Sequence, residues 1–245
     1  MPMASIVNLS IEDLQIPLRI IKERRNSVRV SIGKKYVILR MPNYYYGDQI
    51  YTQIEWAKDW IRKQLASDDT LRAKFLGKDF LTGDHYRING KNYYLKISSG
   101  KRKTNAGKLK NGLVDIKLSD DLTEFQRGDI IQQLMSRIVG QDNLKYVTDR
   151  IHELNELYFQ QDVKSVRLKN NSSNWGSCSS SGNLNISTRT LFAPADVQDY
   201  VFVHELAHLI ELNHSSRYWK IVRDVMPDYK SKEKWLKQNH HLCDF

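Results

Sequence analysis

The strongest chemical signal in the chain is three histidines close to one glutamate. His204-Glu205-Leu206-Ala207-His208 is followed, six residues on, by His214. At ~100° and ~1.5 Å per residue, His204 and His208 stack one turn apart on one helix face, where two imidazoles can grip a tetrahedral Zn2+. Glu205 then stands where a carboxylate can take a proton from a metal-activated water. A helix continued through residue 214 would carry His214 ~9 Å along the axis from His208, beyond reach of the same ion. The helix must therefore end first. Asn213, a residue that tolerates a left-handed cap, is the expected turning point, bringing His214 back as third ligand and leaving a fourth position for water and substrate. Glu211, one turn on along the histidine face, is the competing ligand. "HELNE" at 152–156 lacks the second histidine and reads as ordinary helix surface.

These residues need a helix to hold them, and "APADVQDYVFVHELAHLIEL" supplies one. Pro194 is tolerated in the first turn, Asp196 and Asp199 suit its positive end, and Val203, Leu206 and Ile210 mark a core face. Ser215 or Ser216 caps a following helix that Pro227 stops. Upstream, "VKSVRLK" and "GNLNIST" read as strands around "NNSSNWGSCSSS". The front half reads as β-rich: "LRIIKERRNSVRVSIGKKYVILRM" alternates as a small meander broken at Arg25-Asn26 and Gly33-Lys34. Ile50, Ile54, Ala57, Ile61 and Leu65 then trace one face of a helix. "HYRINGKNYYLKIS" is a hairpin turning at Asn89-Gly90. Residues 98–112 read as a long mobile basic loop, and a helical region fills roughly 123–160 with a break near Gly140. No internal repeat is visible.

Residues 1–117 carry 23 Lys and Arg against 11 Asp and Glu, a net +12, whereas residues 118–245 carry 15 against 17, a net −2. The excess lies wholly in the front half, and it points to a polyanionic partner, DNA or RNA, with a solubility function as the alternative. Lys101, Arg102, Lys103, Lys108 and Lys110 are the candidate nucleic-acid contacts. No stretch approaches the ~18 apolar residues of a membrane span, the first residues do not read as a signal peptide, and two cysteines give no disulfide framework. A cytoplasmic location is expected. The organisation expected is α+β: a basic β-rich lobe with one long helix over 1–120, and a zinc-binding helical lobe with a short antiparallel sheet over 121–245.

"HELAHLIELNHSSRYW" together with "NWGSCSSSGNLNIS" resembles the YgjP-like metallopeptidases, zincins related to the SprT-like and WLM groups. The resemblance runs from about residue 16 to residue 238. It implies zinc at His204, His208 and His214, with Glu205 catalytic. Asn174 stands where the family carries a basic residue, and Tyr218 where Phe is expected. Trp175, Asn185 and Tyr218 are the candidate substrate contacts. In "WGSC", Gly176 is expected to let the chain turn sharply and Trp175 to pack beneath the site, with Cys178 a small buried hydrophobe. "GNLNIS" takes the place of a zincin's edge strand, to which a peptide could add.

The expected activity is peptide-bond hydrolysis, and the kinship with SprT-like enzymes suggests proteins associated with nucleic acid as substrates. One alternative is a metal-dependent hydrolase of a small anionic substrate such as a nucleotide, a pyrophosphatase-type reaction. Neither a Gly-rich phosphate loop nor an Mg2+-type acidic cluster supports it. The other is a non-catalytic nucleic-acid binder with structural zinc, which leaves Glu205 without a task.

Overall fold

The computed structural model describes residues 4–12, 14–33, 36–68, 71, 75 and 78–245. They form an α+β fold with five α-helices and three small sheets among the described residues. By their contacts they fall into two compact units, Met1–Asp79 with Asp121–Asp129, and Phe80–Asp120 with Ile130–Phe245. A division at 120/121 therefore cuts through the second unit, whose own sheet lies on the N-terminal side of that point.

In the first unit, β1 (Ala4–Ile11), β2 (Leu14–Glu23), β3 (Arg29–Ile32) and β4 (Val37–Pro42) form a sheet in the order β1-β2-β4-β3. Alternate residues Ile16, Leu18, Ile20, Val37, Leu39 and Met41 turn to one face and are buried. Helix α1 (Asp48–Ser67) covers them with Ala57, Ile61 and Leu65, the stripe expected from the sequence. The strands do not form a meander, because β4 pairs parallel with β2 and antiparallel with β3. Burial explains the order: Val37, Leu39 and Met41 are fully enclosed in the centre, whereas half-exposed β3 takes the edge. Lys34 of the expected Gly33-Lys34 turn lies outside the described residues.

The second unit opens with β5 (His85–Ile88), β6 (Lys91–Gly100), β7 (Ala106–Lys110) and β8 (Leu113–Ser119) in the order β5-β6-β8-β7. Asn89 and Gly90 turn the hairpin with φ 48° and 74°, the primed geometry that Asn-Gly favours. This sheet repeats the first residue for residue. Leu9↔Ile16 becomes Tyr86↔Tyr93, Leu18↔Val37 becomes Leu95↔Val114, and Arg29↔Arg40 becomes Ala106↔Lys117, all at a constant offset of 77. A helix follows each copy. The chain thus does contain an internal repeat, contrary to the sequence expectation, and few side chains record it.

Residues 98–112 are correspondingly strand, turn and strand rather than a long loop. Asn105 closes the short turn by accepting a 2.8 Å hydrogen bond from the Ser119 N–H through its side-chain oxygen. Helix α2 (Glu124–Leu154) runs without the break expected at Gly140 and ends in a π-helical turn, Asn155–Phe159. Gly140 serves close packing instead: a Cβ there would come within 2.9 Å of the Thr188 methyl.

A third sheet, β9 (Ser165–Lys169), β10 (Gly176–Cys178) and β11 (Asn183–Ser187), is ordered β10-β11-β9. After a 3-10 turn come α3 (Ala195–Ala207), α4 (Ser216–Val225) and α5 (Tyr229–Asn239). Polar ties fix α3 in this unit. Arg150 of α2 clamps Asp199 with two bonds of 2.9 and 2.7 Å. Gln198 donates to the Asn89 side chain at 2.8 Å, joining the hairpin turn to the histidine helix.

Candidate metal centre

Helix α3 is apolar nearly all round, with Val197, Val201, Phe202, Val203, Leu206 and Ala207 buried, so it is gripped from several sides. It ends at Ala207 with His208 as its cap, several residues before Asn213. Leu209 and Ile210 donate to the carbonyls of Leu206 and Ala207 at 3.0 and 3.1 Å, tightening the last turn. His208 finishes the turn through Nδ1, which lies 3.1 Å from the Glu211 carbonyl and as donor leaves Nε2 free. Asn213 has no left-handed backbone, so the expected cap is replaced by this tighter exit. The consequence for His214 is nonetheless the expected one: its Nε2 lies 3.2 Å from the Nε2 of His204.

One nitrogen from each of His204, His208 and His214 lies within 4.8 Å of the others. With Zn–N bonds of ~2.0–2.1 Å, a tetrahedron has edges of ~3.3 Å, close to the His204–His214 spacing. Burial, followed by the neighbouring His208 and His214, pushes the His204 pKa down to about 3, and burial lowers that of His208. Both are thus held neutral, the form that offers a lone pair. Glu211 points its carboxylate elsewhere, 3.9 Å from Arg217, and the described metal-competent cluster does not include it.

The third histidine is steered by rings. Trp219 stacks on His214 at 5.6 Å between centroids, Tyr229 on Trp219 at 5.3 Å, and Tyr200 on Tyr229 at 6.4 Å. Ser215 caps α4, its hydroxyl accepting from the Tyr218 N–H at 3.3 Å. Tyr218 is fully buried, stacks on His208 at 4.5 Å and donates its hydroxyl to the His204 carbonyl at 3.0 Å. That placement makes Tyr218 a brace behind two histidines rather than a wall of the cavity, and gives its hydroxyl a task that Phe could not perform.

Glu205 is buried, and its Oε2 has no hydrogen-bond partner among the described residues. Burial raises its pKa to about 8. Against it lies Gly176, where a Cβ would come within 2.7 Å of the Glu205 carboxyl carbon. The glycine of "WGSC" is therefore required by space and not by a sharp turn; its strand backbone is one that any residue can adopt. Cys178 borders the same cavity, and burial, then Glu205, pushes its thiol up to about 11, so it is protonated at neutral pH. The cavity, about 530 Å³, is lined by Trp175, Val201, Leu212 and Leu236 as well as by the histidines and Glu205.

The sheet corrects the expected edge. Strand β11 is central, paired with β9 on one side and β10 on the other. The edge beside the cavity is β10, Gly176-Ser177-Cys178. Asn185 is consequently a cross-strand neighbour of Ser177, its amide 3.4 Å from that hydroxyl, and is not among the residues lining the cavity. Trp175 does line it. Arg189, which the sequence did not flag, lies over the Trp175 ring at 4.7 Å and donates to the carbonyls of Ser172, His240 and Cys243, clamping that loop to the last turn. Lys101, Arg102, Lys103, Lys108 and Lys110 are not brought to the cavity; they belong to β7 and the turn before it.

A family model described as "YgjP-like, metallopeptidase domain" matches residues 25–239. No curated protein matches the chain. Among solved structures, a crystal structure of the metallopeptidase zymogen of Pyrococcus abyssi abylysin is similar at 23% identity and a TM-score of 0.35, covering 38% of this chain and 93% of that one. That likeness is too slight to carry an argument.

Proposed function

We propose that this chain, which belongs to the YgjP-like metallopeptidase family, hydrolyses peptide bonds with zinc held by His204, His208 and His214 and with Glu205 as general base. One observation carries the assignment: a buried carboxylate with an unpartnered oxygen, next in sequence to His204, one of three histidines whose ring nitrogens converge. Zn2+ bound there would acidify the attacking water and polarise the scissile carbonyl. Glu205 would take a proton from water and return it to the departing amine nitrogen, a role open to a buried carboxylate with an unpartnered oxygen beside the metal ligands. The free edge of β10 can pair with an extended peptide, laying its backbone along the cavity, and Trp175, Val201, Leu212 and Leu236 receive an apolar side chain.

The cavity favours a peptide over a nucleotide. Lys237 is the cation among its described lining residues, and it is paired with Glu233 at 2.7 Å, leaving no phosphate cradle there. Zinc-loaded protein incubated with casein and, separately, with nucleoside triphosphates tests the choice. Casein cleavage that stops on chelation and returns with zinc is expected. Phosphate release from the triphosphates with casein intact overturns it.

A further inference from the structure

We propose that the solvent face of the β5–β8 sheet is a binding platform for a single-stranded polynucleotide. Tyr93, Leu95, Val114, Ile116 and Leu118 fill its inner face, so strand alternation sends the intervening residues outward. The register then sorts them into rows. His85, Tyr94, Leu113 and Lys110 lie across one row. Arg87 and Asn92 form the row on one side, and Lys96, Asp115 and Lys108 the row on the other, followed by Lys117.

The central row is aromatic and exposed. Tyr94 is 48% exposed, and the His85 ring stacks on it, 4.7 Å between centroids at 21°. Planar bases stack on such a surface whatever their sequence. Cations flank it on both sides. Arg87, Lys96, Lys110 and Lys117 make no ion pair among the described residues, and the acid on this face, Asp115, is 4.0 Å from Lys108. Lys101 and Lys103 extend the charge past the Lys117 end. Bases along the middle with phosphates to either side is the pattern a single strand fits. A duplex keeps its base faces stacked inside, and an acidic peptide has no ring for Tyr94.

The repeat supplies a contrast within the molecule. At an offset of 77, Lys96 and Lys117 correspond to Arg19 and Arg40 of the first sheet, but His85 and Tyr94 correspond to Asn8 and Pro17. Charge recurs in both copies; the aromatic pair does not. The platform is independent of the hydrolytic role, because none of these residues lines the histidine cavity.

Fluorescence anisotropy of the full chain with labelled oligothymidylate, longer than the ~4–16-nucleotide footprint of a single-strand module, is the test. Log K should fall with log salt by about 0.7 per phosphate neutralised. Tyr94→Ala should weaken binding roughly tenfold or more with little change in salt slope, and Tyr94→Phe should restore it. The Lys96→Ser, Lys117→Ser double variant should flatten the slope, whereas Arg19→Ser with Arg40→Ser should leave affinity near wild type. Zinc content and thermal melting, read on each preparation, establish that the variants are folded. The platform is overturned by no binding at low salt, by Tyr94→Ala binding like wild type, by a duplex binding as tightly, by equal dependence on Arg19 and Arg40, or by polyglutamate displacing the oligonucleotide as well as unlabelled strand does.

Discussion

The histidine cavity and the outer face of the second sheet concentrate function to opposite degrees. In the cavity a few atoms are fixed by close contacts from every side: Glu205 against Gly176, His208 on the Glu211 carbonyl, His214 against Trp219. On the sheet face, side chains stand two residues apart toward solvent, placed by backbone register with few side-chain contacts, such as His85 on Tyr94. A metal centre fails when one ligand moves; a charged platform loses one contact among several. Burial therefore predicts how sharply each region responds to substitution.

The largest effect belongs to Glu205→Gln, which should lower turnover by about 10²–10⁴-fold while zinc content stays at the wild-type level. Metal analysis and rate on one preparation check both halves, and near-normal turnover would remove Glu205 from the chemistry. His214→Ala should weaken zinc binding more than about 100-fold, beyond the ~10–100-fold typical of outer partners, and Glu211→Ala should lie within or below that range. Competition with a zinc chelator ranks the two. Gly176→Ala should leave zinc bound yet cut turnover by roughly 10–100-fold, because the added Cβ displaces the Glu205 carboxylate. Unchanged kinetics in that variant would mean that the carboxylate position is not critical.

A smaller effect concerns the metal-free protein. Burial raises Glu205 from 4.5 to about 8, so between those values the folded state holds a proton that the unfolded chain has released. Stability should then fall as pH rises. His204, lowered from 6.5 to about 3, acts in the opposite sense below 6.5 and offsets part of this. The clear window is pH 6.5 to 8, where melting temperature should decline and Glu205→Gln should abolish the decline. A flat wild-type profile there would show the carboxylate to be more solvated than its burial implies. Smallest of all, replacing any one of Lys96, Lys110 or Lys117 by Ser should reduce the salt slope of strand binding by only about 0.7. A single lysine that abolished binding would make the sheet face as concentrated as the cavity.

The parts legible in the sequence were those fixed over one or two turns. His204 and His208 share a face because helix geometry demands it, and Asn89-Gly90 turns because few other residues tolerate that backbone. The Ala57, Ile61, Leu65 stripe was equally plain. What escaped depends on distant partners. The helix ends at Ala207 because His208 finds the Glu211 carbonyl, a bond no cap preference at Asn213 encodes. Strand β11 is central because β9, more than ten residues upstream, pairs with it in parallel. Gly176 is required by Glu205, distant in sequence and adjacent in space. The repeat was hidden because register needs only apolar residues at inward positions: Leu18 and Leu95, or Val37 and Val114, match, while most outward residues differ in type.

A chain that builds one sheet twice, in the same register, runs the hazard that a strand of one copy docks in the other while folding. Divergence at one position disfavours one such exchange. Tyr94 donates its backbone N–H to the Gly112 carbonyl at 2.8 Å, sealing β6 against the start of β8. Its counterpart Pro17 has no N–H to give. If β2 took the place of β6 beside β8, it would leave that carbonyl bare and lose the trade. The proline thus weighs, by one backbone hydrogen bond, against that one misplacement of β2.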